Sequence, residues 1–94
     1  MSALKVNFAV YGALAGGNEN STQAIDVSVA LQNAIDASQG IVNISNATMG
    51  QDPSPNNTKH FAALVTLDGV AQPYACEENQ TIDFYHWIAP GTQS

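Results

Sequence analysis

Leu4, Val6, Phe8 and Val10 alternate with Lys5, Asn7 and Ala9, the period-two pattern of a strand that buries one face. This strand is expected to end near Tyr11-Gly12, and the stretch from Gly16 to Ser21 reads as a polar loop. Val27, Leu31, Ala34 and Ile35 then recur at helical spacing, which predicts a helix over 27–38. Asp26 or Ser28 is placed to cap its start, and Gly40 to take the left-handed conformation after its end. Ile25 and Val27 alternatively finish a short strand. Ile41, Asn43 and Ser45 alternate with Val42, Ile44 and Asn46 as a second strand, and residues 49–57 form a turn-rich stretch around Pro53 and Pro55.

Asp68-Gly69 between two apolar runs is a two-residue hairpin signal. Pairing Leu67 with Val70 sets Val65 against Gln72, Ala63 against Tyr74 and Phe61 against Cys76, a largely apolar face. Pro73 lies on the other face and lacks a ladder donor, so its strand should be an edge or carry a bulge. In a last strand, Thr81–Ile88, Ile82, Phe84, His86 and Ile88 face inward while Asp83, Tyr85 and Trp87 face outward. About five strands and one short helix predict a mainly β domain, a small antiparallel sandwich or sheet, with α+β as the alternative. One domain spans 1–94, its core 3–88 and its tail 89–94; no repeat or linker divides it.

Composition narrows the partners. Lys5 and Lys59 are the only basic residues besides two histidines, arginine is absent, and the formal charge is −6. Phosphate backbones need clustered Lys and Arg, so nucleic acid is excluded as a partner, and docking on anionic lipid with it. Asn, Gln, Ser and Thr, 29 in all, provide the solvation instead. Alanine makes up much of the 45% hydrophobic fraction, giving a thin core for which self-association is an economical remedy. Cys76 is single and cannot form an internal disulfide. No apolar run reaches spanning length, and Met1-Ser2-Ala3-Leu4-Lys5-Val6 does not read as a signal peptide. The expected location is cytoplasmic or leaderless secreted. The Asn-X-Ser/Thr triplets at Asn20, Asn43, Asn46, Asn56 and Asn79 are expected by chance in such a composition.

Certain landmarks fall in a familiar order. They are Val10-Tyr11-Gly12, Ile25-Asp26-Val27-Ser28 with Leu31-Gln32, Asn46 with Met49-Gly50, Asp52-Pro53-Ser54-Pro55, Lys59, Asp68-Gly69 and Glu78-Asn79-Gln80-Thr81-Ile82. In these the chain, over roughly residues 6–84, resembles the domain of unknown function at the C-terminal end of a mitochondria-associated DnaJ-like protein family, also found as tails or stand-alone modules in fungi and bacteria. The resemblance implies a structural or interaction module and transfers no catalytic residue. The chain departs from it in lacking a J domain, in a polar insertion at 16–24 and in its Tyr85-His86-Trp87 ending.

Chemistry is sparse. Cys76, His60 and Asp83 are the candidates for a cysteine hydrolase, but the hairpin register sends His60 to the face opposite Cys76, which reads as a core thiol. His60 and His86 lack metal-ligand spacing, His86 reads as a semi-buried hydrogen-bonded histidine, and no cofactor is expected. Glu77-Glu78 reads as exposed charge at a hairpin end, and Gly12 with Gly16-Gly17 matches no phosphate loop. Trp87 and Tyr85, on one outer face beside Asp83, form a candidate platform on which neutral sugars would stack, with Asn56 and Asn57 as further polar ligands; alternatively Trp87 simply covers the edge of the core. The first expectation is therefore a non-enzymatic, lectin-like module for neutral carbohydrate. The second is a protein-interaction or self-assembly module without a small ligand. A homo-oligomer, a dimer through the outer face of the last strand, suits both.

Overall fold

The hairpin forms as its sequence dictates. In the structure, a computed structural model describing residues 3–91, β4 (His60–Leu67) and β5 (Val70–Glu77) are antiparallel. Leu67 pairs with Val70, Val65 with Gln72, Ala63 with Tyr74 and Phe61 with Cys76. Asp68 and Gly69 both have positive φ, 55° and 81°, as a type I′ turn requires. β1 (Leu4–Leu14) pairs with β4 on one side and with β2 (Thr22–Asp26) on the other. The four-stranded sheet thus has the order β2-β1-β4-β5. Pro73 sits on β5, an edge strand, in a non-hydrogen-bonded pair with Leu64, so its nitrogen faces the open edge and no ladder bond is lost. Ile25 lies in the strand β2, whereas Val27 belongs to neither element and precedes the helix as its N-cap, its carbonyl accepting the Leu31 N–H.

The alternation along β1 breaks in its middle. Val6 pairs with Val65 but Phe8 with Leu64, so Asn7 is the extra residue of a β-bulge. An inserted residue reverses the faces beyond it. Leu4 and Val6 turn inward, but so do Ala9 and Tyr11, both fully buried, whereas Phe8 is 51% exposed. The expectation that Phe8 and Val10 belong to the core is corrected accordingly. The strand also runs past Tyr11-Gly12 to Leu14.

Helix α1 (Ser28–Ser38) buries Leu31 and Ile35 against the inner face of the sheet. It also completes the part of β1 that β2 does not reach. Gln32 Oε1 accepts the Val6 N–H at 2.7 Å and Gln32 Nε2 donates to the Leu4 carbonyl at 3.0 Å. Ser28 Oγ accepts the Ala9 N–H at 3.0 Å. Asp26 Oδ1 accepts the Ser28 N–H, and the helix closes on left-handed Gln39, followed by Gly40.

Beyond the helix two predicted strands shorten. β3 (Ile41–Asn43) stops where Ser45 caps a short helix, α2 (Asn46–Met49), so Ile44 to Asn46 do not continue as strand. Ser45 Oγ accepts the Thr48 N–H while Thr48 Oγ1 accepts the Ser45 N–H, a reciprocal capping box. β6 (Thr81–Asp83) pairs with β3 and ends five residues earlier than expected. There Asp83 Oδ1 accepts the Tyr85 N–H and the Asp83 carbonyl accepts the His86 N–H, which turns the chain away. Phe84 remains in the core, edge-on to Phe61 and 4.8 Å from the Tyr74 ring. His86 is exposed rather than inward-facing, and Ile88 is half-exposed. Of the expected tail, 92–94 lie outside the described residues, as do Met1 and Ser2.

The fold is mainly β and antiparallel, with helix on one sheet face. The molecule is only 19 Å through its thinnest dimension, about two layers. No described helix is long and apolar enough to cross a membrane.

Candidate functional site

The densest polar constellation surrounds Lys59, which is 3% exposed. Its ammonium donates to Asp52 Oδ1 at 2.9 Å and to the Ser54 carbonyl at 3.1 Å, and lies 3.5 Å from Glu78 Oε1. Glu78 Oε1 also accepts the Lys59 N–H. Beside it, fully buried Ser54 donates to Gln23 Oε1 at 2.7 Å and accepts from Asn57 Nδ2 at 2.8 Å. Asn57 Oδ1 in turn accepts the Gly16 N–H, and the Tyr11 hydroxyl donates to Asn46 Oδ1 at 2.7 Å.

These contacts fasten the 50–59 loop to the turn after β1, to β2 and to Glu78 just past β5; they do not prepare a reagent. The hydrogen bond to Asp52 raises the Lys59 pKa despite desolvation. An ammonium with three acceptors keeps its proton and offers no lone pair to act as base or nucleophile. Burial, reinforced by Glu78, Asp52 and Cys76, pushes the Tyr11 phenol up to about 12. Glu78 is therefore not exposed hairpin charge: it points inward to Lys59, and only Glu77 faces solvent. Neither lysine-centred pairing was legible in advance, because the partners are 7 and 19 residues from Lys59 in sequence.

Cys76 is half-buried opposite Phe61, and burial raises its pKa. His60 sits one residue from Phe61 on β4 and is exposed on the other face, so no Cys-His pair forms. Among the described residues no three His, Cys, Asp or Glu side chains are grouped to hold a metal ion.

The expected sugar platform is distributed over separate tasks. Because the strand ends at Asp83, Tyr85 and Trp87 do not share an outer strand face, nor does that face exist as a dimer contact. Asp83 accepts the N–H of Tyr85. The Tyr85 ring lies over Gly40, where a Cβ would come within 2.5 Å of it. Trp87 lies on the β5 edge, its Nε1–H donating to the Pro73 carbonyl at 2.9 Å. Asn57 belongs to the Lys59–Ser54 network, and Asn56 is an exposed turn residue with φ 67°.

What the fold leaves open is the outer face of the sheet. Two adjacent cross-strand rows occupy its centre: Phe8, Leu64 and Pro73, then Val10, Ala62 and Ala75. These six residues, with the backbone of Ala63 and Tyr74 between them, line an apolar groove of 540 Å³. Charge is confined to the margins: Lys5 in the row beyond Phe8, Asp26 at the β2 end of the Val10 row, and His60 with Glu77 in the row beyond Val10. Four of these six residues were visible in sequence, since Ala62, Leu64, Pro73 and Ala75 make the second face of the hairpin apolar too. Phe8 and Val10 join it only through the bulge at Asn7.

No protein family, curated protein or solved structure matches the chain.

Proposed function

We propose that this protein is a non-enzymatic interaction module that works through the outer face of its four-stranded sheet. The supporting observation is the uncharged groove of Phe8, Val10, Ala62, Leu64, Pro73 and Ala75 on a sheet whose other face is already covered. Antiparallel sheets with one wet face normally alternate apolar with polar residues, and contiguous apolar patches mark binding surfaces. The strand edges are less suited to the role. Pro73 and Trp87 obstruct β5, and β2 is five residues long. The carbohydrate reading has less support, since Tyr85, Trp87 and Asp83 are engaged separately.

Covalent footprinting with a carbene-forming probe tests this. Phe8, Leu64 and Pro73 should label readily in dilute purified protein and be protected in an extract of the cells that make it. Ready labelling in both alike would defeat the proposal.

A further inference from the structure

We infer that the occupant of the open sheet face is a second copy of this chain, stacked face to face about a two-fold axis running across the strands. The inference rests on the interaction-module reading and adds a partner and a geometry to it.

The area is adequate. Four strands at about 4.8 Å spacing and eight residues at about 3.3 Å rise cover roughly 500 Å² in projection. Side chains standing off that plane raise the accessible surface toward the roughly 800 Å² per partner of a standard interface. Stacking a second sheet at about 10 Å also turns a 19 Å slab into the layered arrangement that covers both sheet faces.

Shape then selects the axis. The two central rows differ in bulk: Phe8, Leu64 and Pro73 stand beside the smaller Val10, Ala62 and Ala75. An axis across the strands, between these rows, lays the bulky row of each copy on the small row of the other. An axis along the strands would place bulk on bulk. Isologous contacts require this kind of self-complementarity.

Charge selects the same axis. Lys5 lies at one end of the face, and Glu77 with His60 at the other. With the axis across the strands, each Lys5 approaches the end that carries Glu77 in the other copy. With the axis along the strands, lysine ends would meet lysine ends and glutamate ends would meet glutamate ends. Rim charges of this kind fix orientation more than affinity.

Sedimentation equilibrium of the purified full chain at low salt, with circular dichroism to verify folding, decides the matter. The wild type should sediment at twice the chain mass at micromolar concentration. Leu64→Lys should weaken the dimer at least tenfold, and Phe8→Ser serves the same purpose should Leu64→Lys fail to fold. Lys5→Glu and Glu77→Lys should each weaken it several-fold, and the double exchange should restore it. A wild type that stays monomeric at 200 µM, or a folded groove variant that dimerises like the wild type, overturns the second copy as occupant. Should groove protection in cell extract persist in that case, the interaction-module reading stands with another partner. A groove-dependent dimer indifferent to both charge variants, or not restored by the exchange, overturns the crossed axis.

Discussion

Gly40 shows how one backbone position couples two distant segments. Its φ is +91°, and a Cβ there would fall 2.5 Å and 2.8 Å from two Tyr85 ring carbons. Gly50 has a similar φ of +85° with nothing within 4 Å of its would-be Cβ. Alanine at Gly50 should therefore cost only the strain of a left-handed L-residue, about 1 kcal/mol. Alanine at Gly40 must displace a ring as well and should cost roughly 2 kcal/mol or more. Urea unfolding of the two variants measures the difference directly; equal losses would show that Tyr85 yields freely. Cys76 behaves as a half-buried apolar residue whose thiol burial holds protonated. It should label far more slowly in the native protein than in urea, and Cys76→Ala should cost roughly 1 kcal/mol. Fast native labelling would contradict that description.

At the scale of elements, legibility follows the range of the interaction that defines each one. The β4–β5 hairpin was readable residue by residue because its turn and its alternation are local. Helix α1 was readable because Val27, Leu31 and Ile35 repeat at its period, although the partners of Gln32 on β1 were not. The bulge at Asn7 was invisible, since the sequence alternates through it and only pairing with β4 reveals the shift. Helix α2 has no sequence signature because its box uses Thr48, not the usual Glu or Gln, as the reciprocal partner of Ser45. Removing that cap with Ser45→Ala should destabilise the protein by about 1 kcal/mol. Thr48 Oγ1 also donates to the Asn43 carbonyl at 2.6 Å, so loss of the box should raise amide exchange around 43–49. Unchanged stability would mean that the turn is set by Ile44 and Met49 burial alone.

For the whole molecule, the Lys59 network gathers Asp52, Ser54 and Glu78, with the Tyr11–Asn46 bond beside it, from far apart in the chain to one end of the sheet. No single motif could announce that convergence. Its charge states give it a distinct pH signature. Tyr11 releases its proton near pH 12 in the folded protein, against about 10 in an unfolded chain. Across that interval the unfolded state binds fewer protons, so stability must fall as pH rises. Lys59 acts in the same direction: its raised pKa contributes stability below the ordinary lysine value that is lost as pH climbs through the raised one. The protein should accordingly lose stability in strong alkali, with the Tyr11 tyrosinate appearing late. Tyr11→Phe separates the two contributions. At neutral pH it loses the bond to Asn46 and should be about 1 kcal/mol less stable than the wild type. Between about pH 10 and about pH 12 only the wild type retains a buried phenol to deprotonate, so the two stability curves should converge and then cross. Curves that stay parallel across that interval would show that the Tyr11 hydroxyl titrates as it does in water, and that its burial does not govern the alkaline limit.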